Sequence, residues 1–147
     1  MKANIKINDL KRVVIVGCGL GGLKLATSLR NSGFQVVIVD KNNYSQFPPL
    51  IYQVASAGLE PSNISFPVRR IFQGYKNYFF RMAEVTAVDT KEKAIATSVG
   101  TIHYDYLVLA EGGTTNFFGN KNVEANAFPM KTGKDGMRLR NHILEEL

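Results

Sequence analysis

The chain has 147 residues, of which 45% are hydrophobic and 20% charged, and this length and composition predict one globular domain. Its single cysteine excludes an intramolecular disulfide, a redox-active cysteine pair and a multi-cysteine zinc site, and indicates a reduced, intracellular protein. The formal net charge of +6 comes from scattered basic residues, so it favours anionic partners without selecting a class. Residues 1–12 lack the apolar core of a signal peptide, and no apolar stretch approaches the ~20 residues of a membrane span.

Residues 12–40 give the clearest structural pattern. Arg12 to Val16 is a β-branched run typical of a strand that is buried on both faces of a parallel sheet. After a glycine-rich turn, Leu23 and Ala26 lie at helical spacing, and Gly33 is predicted to end the helix. A second buried strand, Val36 to Asp40, ends in an acid. Strand, glycine turn, helix and strand predict a βαβ unit.

The remaining residues predict shorter elements. In chain order they are an extended turn at Pro48-Pro49, short helices at 50–56 and 66–72, strands at 78–82 and 84–88, a turn at 91–93, an antiparallel pair at 94–97 and 102–104, a buried strand at 106–110, and a helix at 135–147. In the last helix Arg138 and Arg140 lie near the start and Glu145-Glu146 at the end, which opposes the helix dipole. We therefore expect the parent chain to continue.

The first turn carries a GxGxxG motif, Gly17 to Gly22. Gly17 permits the tight turn, Gly19 lets the backbone approach a pyrophosphate, and Gly22 lets the helix pack closely on the strand. The pyrophosphate is expected at the helix N-terminus, where free N–H groups and the helix dipole favour an anion. Asp40 follows Gly17 by 23 residues and is expected to accept hydrogen bonds from an adenosine ribose and to repel a 2′-phosphate. This context disfavours a glycine turn that binds nothing.

The motif alone does not distinguish FAD from NAD. The antiparallel meander before the strand at 106–110 favours FAD, because simple NAD domains usually continue directly into a third βα unit. Three segments then carry a resemblance: 17–40, Phe-Pro-Pro-Leu-Ile-Tyr-Gln-Val-Ala at 47–55, and 104–110 followed by Thr-Thr-Asn-Phe-Phe-Gly at 114–119. Together they resemble the N-terminal part of type II NADH dehydrogenase, a single-subunit, non-proton-pumping flavoprotein. The implied fold class is a Rossmann-like α/β domain that binds FAD over residues 1–147 and carries a small antiparallel β-meander.

The resemblance also implies which residues hold the cofactor. They are Gly17, Gly19, Leu20, Gly21 and Gly22 at the FAD pyrophosphate, Asp40 and Lys41 at the adenosine ribose, Val85 at the adenine through its backbone, Pro49 and Leu50 at the flavin ring, and Ala110 and Gly112 where the chain re-enters the sheet. No catalytic side chain and no metal ligand is assigned. Glu111 departs from the family, which usually has a small or hydroxylated residue there. A carboxylate near a pyrophosphate opposes binding unless it is paired or turned to solvent.

In the complete enzyme, the resemblance implies that NADH gives a hydride to FAD and that two electrons then pass to a quinone of the respiratory chain. The family enzyme is longer, with a second dinucleotide-binding domain, a quinone site and C-terminal helices that hold it on the membrane surface. We therefore expect this chain to be an inactive fragment. The parent is expected in the cytoplasm or, as a peripheral membrane protein, at the cytoplasmic face of the inner membrane. A homodimer is compatible with this interpretation, and a nucleic-acid partner is not expected.

Two other functions stay open. A non-catalytic module that senses NAD or an adenine nucleotide needs only the βαβ unit, and a flavoprotein of the ferredoxin or rubredoxin reductase type shares the superfamily. Simple structural roles are favoured for the remaining chemical groups. Cys18 is expected to fill space under the turn, His103 and His142 to be solvated, and the basic and aromatic residues at 76–81 to form a half-buried strand rather than an RNA-binding surface.

Overall fold

The computed structural model describes residues 3, 5, 6 and 8–147. They form two compact units, each built from separate chain segments. The first unit contains the residues up to Ser45 together with Pro67–Gly112, and the second contains Gln46–Phe66 together with Gly113–Leu147. The assignment of all 147 residues to one cofactor-binding domain stays a prediction.

The structure contains nine strands and five α-helices over the described residues. The strands are β1 (Arg12–Val16), β2 (Gln35–Asp40), β3 (Tyr44–Gln46), β4 (Ser65–Pro67), β5 (Tyr78–Met82), β6 (Val85–Asp89), β7 (Ala94–Thr97), β8 (Gly100–His103) and β9 (Tyr106–Leu109). The α-helices are α1 (Leu20–Ser28), α2 (Ile51–Ala55), α3 (Val68–Ile71), α4 (Lys121–Asn126) and α5 (Gly133–Glu145). Short 3₁₀ helices cover Pro48–Leu50 and Pro61–Ile64.

The core of the first unit is a four-stranded parallel sheet in the order β5-β2-β1-β9. Residues 13–16 of β1 and 36–39 of β2 are all apolar because both faces of the sheet are covered. One face packs against α1, through Val13, Ile15, Val36, Ile38 and Ala26. The other face packs against the antiparallel sheet β6-β7-β8, through Val14, Val37, Val39, Ile95 and Ile102. The predicted α/β fold class, with its βαβ unit and its antiparallel meander, is confirmed.

The helix after the glycine turn ends earlier than the sequence predicts, at Ser28 rather than near Gly33. The Thr27 hydroxyl donates to backbone carbonyls one turn back, and the Arg30 N–H donates to the Thr27 carbonyl oxygen at 3.2 Å, which tightens the final turn. Asn31 then adopts a left-handed backbone conformation, with φ of 63°. The chain therefore turns away from the helix at Asn31, a short polar residue that tolerates this conformation, before Gly33 is reached.

Two short helices also differ from prediction. The proline pair does not form an extended turn, because the fixed φ of proline also suits the start of a helical turn. Pro48–Leu50 is a 3₁₀ helix in which the Leu50 N–H donates to the Phe47 carbonyl oxygen at 3.2 Å. Helix α4 was not predicted at all. Asn120 caps its N-terminus by accepting a hydrogen bond from the Asn122 N–H at 3.1 Å, and such a cap is visible in the sequence only as an isolated Asn.

The last helix begins at Gly133, before its predicted start, with a capping box formed by Thr132 and Asp135. The Thr132 N–H donates to the Asp135 carboxylate at 2.8 Å, and the Asp135 N–H donates to the Thr132 hydroxyl at 3.2 Å. Burial alone would raise the pKa of Asp135, but hydrogen bonds from Thr132 and Lys131 lower it below its ordinary value. The expected conflict between Arg138 and the dipole is therefore wrong at this end, since an acid occupies the first turn.

In the second unit, α5 packs against α2 at Gly136. A Cβ atom on Gly136 would lie 3.2 Å from the Ile51 carbonyl oxygen, so glycine lets the two helices approach closely. Ile51, Val54 and Ile64 form the buried core of this unit. Across the described ranges, none of these helices combines the length and the apolar character that a membrane crossing requires.

The register of β9 beside β1 is fixed by Asp105, the residue that precedes β9. Its carboxylate accepts hydrogen bonds from the Arg12 N–H at 2.7 Å and from Lys11 Nζ at 3.1 Å. The backbone bond from Arg12 is the main reason that the pKa of Asp105 is lowered, and the Lys11 ammonium adds to it. In this register Val16 pairs with Leu109, which brings the end of β9 to the glycine turn.

Candidate dinucleotide-binding site

The carboxyl ends of the parallel strands form one edge of the sheet, and most of the predicted site residues lie there. Backbone hydrogen bonds continue the strand pairing to this edge: the Gly17 N–H donates to the Val39 carbonyl oxygen at 2.8 Å, and the Ala110 N–H donates to the Val16 carbonyl oxygen at 2.7 Å. The strand order reverses between β1 and β9, since β2 lies on one side of β1 and β9 on the other. A crevice at such a switch point is where open α/β sheets bind ligands.

Gly17 and Gly22 allow three backbone segments to meet at this point. Gly17 has φ of 96°, and a Cβ atom on it would lie 2.4 Å from the Ala110 carbonyl oxygen and 2.9 Å from Glu111 Cα. A Cβ atom on Gly22 would lie only 1.9 Å from the Gly17 carbonyl oxygen. Any side chain at either position would collide with backbone, so the predicted packing roles of both glycines are present in the structure.

The space above the start of α1 is open. Gly19 is the N-cap residue of α1, and a Cβ atom on Gly19 or Gly21 would meet no other atom within 4 Å. No side chain caps the helix, and its first turn holds no acidic residue. The first helical hydrogen bond runs from the Leu23 N–H to the Gly19 carbonyl oxygen at 2.8 Å, so the N–H groups before Leu23 lack helical acceptors. This cradle fits a pyrophosphate held by backbone N–H groups and the helix dipole.

Asp40 connects the end of β2 to the glycine turn. Its Oδ2 atom accepts a hydrogen bond from the Cys18 N–H at 2.6 Å, and its Oδ1 atom accepts one from the Asn42 N–H at 2.8 Å. Sequence reasoning missed the bond to Cys18, because a backbone donor leaves no trace in residue type. Each carboxylate oxygen has two lone pairs, so Asp40 retains acceptor capacity for a ribose hydroxyl.

The thiol of Cys18 lies beneath the turn and is 1% exposed. Burial, followed by the nearby charge of Asp40, raises the pKa of Cys18 to about 12 from its ordinary 9.0. The thiol is therefore neutral at physiological pH, in agreement with the predicted filling role rather than with a reactive thiolate.

The other predicted cofactor residues occupy four places. Lys41 is exposed directly after β2. Val85 is the first residue of β6, where it packs against the apolar residues between the parallel and the antiparallel sheet. Ala110 and Gly112 follow β9, and Gly112 has φ of 74°. Pro49 and Leu50 lie on a 3₁₀ helix of the second unit.

The side chains that suggested other chemistry are used for packing or face solvent. The Tyr78 hydroxyl donates to a backbone carbonyl of α1 at 2.7 Å and Phe80 is 6% exposed, which supports a half-buried strand rather than an RNA-binding surface. His103 is exposed at the end of β8, and the His142 ring stacks on the Phe128 ring with centroids 4.9 Å apart. Within residues 3, 5, 6 and 8–147, no group of three or more His, Cys, Asp or Glu could hold a metal ion.

Comparison with known proteins assigns the family. The family model described as pyridine nucleotide-disulphide oxidoreductase matches residues 11–146. The chain belongs to this family. Among curated relatives, it is 34% identical over 137 residues to the type II NADH:quinone oxidoreductase NdhA of Mycobacterium tuberculosis. It is 30% identical over 146 residues to a mitochondrial external alternative NAD(P)H-ubiquinone oxidoreductase, B2, of Arabidopsis thaliana. The predicted relationship to type II NADH dehydrogenases is confirmed.

Solved structures of this oxidoreductase family share the fold. The sulfide:quinone oxidoreductase from Aquifex aeolicus matches with a TM-score of 0.82 and 26% identity over 92% of this chain and 32% of that one. NDH2 from Plasmodium falciparum in complex with NADH matches with a TM-score of 0.83 and 25% identity over 92% of this chain and 30% of that one. The alignments with the Mycobacterium and Arabidopsis relatives cover 90% and 92% of this chain but only 29% and 25% of theirs. The chain thus spans less than a third of their length.

The glycine geometry of this family member predicts different effects on stability for two matched substitutions. Gly22→Ala should cost about 3 kcal/mol or more of unfolding free energy, because its methyl group would overlap backbone. Gly19→Ala should stay within about 1 kcal/mol of wild type, since its methyl group enters open space, but should weaken nucleotide binding. Urea unfolding measures both stabilities. A Gly22→Ala chain as stable as wild type would contradict the described packing.

The raised pKa of Cys18 predicts a protected thiol. At pH 8 the folded chain should react with iodoacetamide roughly a hundredfold more slowly than the urea-unfolded chain. Because the folded state holds the thiol proton more tightly, this group's contribution to stability is complete below pH 9 and should decline as the pH rises toward 12. Cys18→Ala, which leaves the chain without cysteine, should remove that alkaline decline and serves as the control. Equal alkylation rates for folded and unfolded chain would refute the assignment.

Proposed function

We propose that this chain is the FAD-binding part of an NADH:quinone oxidoreductase. The observation that carries the proposal is the open, uncapped start of α1 at the switch point between β1 and β9. The names of relatives from a bacterium and a plant, which act as NADH or NAD(P)H quinone oxidoreductases, supply the reaction class. Since the chain spans less than a third of these relatives, the activity belongs to a longer protein.

The residues that we propose hold the phosphates and the ribose lie at the carboxyl edge of the sheet. The N–H groups of Leu20, Gly21 and Gly22 hold the pyrophosphate, and Gly17 and Gly19 leave room for it. Asp40 accepts hydrogen bonds from the adenosine ribose, and Lys41 supplies a positive charge beside it. The family resemblance is the basis for three further assignments: the Val85 backbone to the adenine, Pro49 and Leu50 to the flavin ring, and Ala110 with Gly112 to the cofactor site where the chain re-enters the sheet.

FAD, when bound, supplies the hydride acceptor for NADH and the two-electron donor for the quinone. The residues of this chain contribute binding and orientation. Backbone N–H groups at α1 neutralise the phosphates without any proton transfer, and the bond from Cys18 to Asp40 keeps the turn and the ribose acceptor in register. No acid or base within this chain is needed for that task, so we assign no catalytic side chain here.

The complete protein requires parts that lie outside this chain. We propose that NADH and the quinone bind with the help of those parts and that the isolated chain does not turn over. The parent works in the cytoplasm or at the cytoplasmic face of the inner membrane, where a region outside this chain provides the contact with the membrane surface, and a homodimer is compatible with this arrangement.

An FAD titration of the purified chain, followed by flavin fluorescence, tests the proposal. We expect saturable binding that Asp40→Ala weakens about tenfold, because a charge-assisted hydrogen bond to the ribose is lost. Asp9→Ala, which removes an exposed acid before the amino end of β1, should leave the affinity unchanged. Binding of NAD without FAD would favour the nucleotide-sensing module instead. Binding of neither cofactor would contradict the proposed site.

A further inference from the structure

Glu111 places an acid beside the glycine turn. Its Cα atom lies 2.9 Å from the position that a Cβ atom on Gly17 would take, so its backbone lies beside the glycine turn at the switch point between β1 and β9. The residue is exposed, and among the residues that the structure describes its carboxylate has no hydrogen bond and no ion pair. An unpaired carboxylate at this place has no hydrogen-bond donor or ion-pair partner that offsets its repulsion of an anion bound at the start of α1.

The other charged residues beside the glycine turn do not offset the charge of Glu111. Asp40 also ends at this edge of the sheet, but backbone N–H groups of Cys18 and Asn42 donate to both of its oxygens. Lys41 is the neighbouring cation after β2. Because the Glu111 backbone adjoins the glycine turn, we expect its charge to act on a phosphate bound at the start of α1 without full screening by salt, since the Debye length is about 10 Å at 0.1 M salt.

The loss of binding free energy caused by Glu111 depends on the negative charge of the ligand's phosphates. The pyrophosphate of a dinucleotide is a diester, whereas ADP has a terminal phosphate whose second pKa is about 6 and which is therefore further ionised at neutral pH. Repulsion between like charges grows with the charge of the ligand. A carboxylate at the crevice thus disfavours a free nucleoside diphosphate more strongly than a dinucleotide.

We propose that Glu111 is a specificity-determining residue that selects dinucleotides over free nucleoside phosphates at this site. The inference rests on one part of the proposed function, namely that the start of α1 binds a pyrophosphate, and not on the identity of the dinucleotide. Glu111 acts by repulsion: it lowers the affinity for every anion but lowers it most for those with a terminal phosphate. Repulsion lowers the affinity for FAD or NAD less than the affinity for a nucleoside diphosphate, so the ratio of the two affinities favours the dinucleotide.

The test compares dissociation constants of FAD, NAD and ADP for wild type, Glu111→Gln and Glu111→Ser by isothermal titration calorimetry. At low salt, removal of the carboxylate should tighten ADP binding about tenfold and dinucleotide binding about threefold. In 1 M salt the differences should shrink, because the Debye length falls to about 3 Å. Glu92→Gln, an exposed acid in the turn between β6 and β7, is the matched control and should change neither affinity. Circular dichroism checks that all variants fold alike.

The outcomes separate this inference from the proposed function. A preference for dinucleotides that both Glu111 variants reduce supports the inference, and NAD and ADP suffice for this reading even if FAD fails to bind and the proposed function falls. Binding of FAD with affinity ratios that the Glu111 variants leave unchanged, or that Glu92→Gln changes equally, overturns the inference alone. Binding of none of the probes by wild type or variants overturns both.

Discussion

The contact between backbone segments at the carboxyl end of β1 is the constraint on which the site depends. The turn at Gly17 touches the end of β9, and α1 begins close enough to β1 that Gly22 lies against the Gly17 carbonyl. Because no side chain separates these segments, the first turn of α1 is held directly over the sheet edge. The same closeness leaves the N–H groups at the start of the helix facing open space rather than protein.

The electrostatics of this edge suit the anion that we propose binds there. The helix start has neither a capping side chain nor an acid in its first turn. Burial keeps the Cys18 thiol neutral. The Asp40 carboxylate accepts hydrogen bonds from the backbone N–H groups of Cys18 and Asn42. Glu111 is the exception, since among the described residues it is an exposed, unpaired acid whose backbone lies beside the same turn. A site that attracts phosphate through backbone dipoles and repels excess charge through one carboxylate is suited to discriminate among anionic nucleotides.

The parts of the fold that local patterns encode were predictable. The β-branched runs of β1 and β2 mark strands buried on two faces, and the GxGxxG turn marks the start of α1, because these signals depend on neighbours in sequence. The parts that depend on distant residues were not. The bond from the Cys18 N–H to the Asp40 carboxylate leaves no pattern, because a backbone donor has no trace in residue type. The resemblance implies that Glu111 lies near the pyrophosphate, but its approach to Gly17 joins backbone segments far apart in the chain and has no local signal. Helix α4 was not predicted because its only sequence signal is the N-cap residue Asn120.

The most direct test of the account is residue-specific: amide chemical shifts of the ¹⁵N-labelled chain, recorded while FAD is added. The account predicts the largest shift changes at the N–H groups of Leu20, Gly21 and Gly22, which have no helical acceptor and point toward the expected pyrophosphate. Amides in the meander turn at 91–93 should stay unchanged. Shift changes centred away from the start of α1, or no saturable change at those amides, would contradict the claim that this helix terminus is the phosphate site.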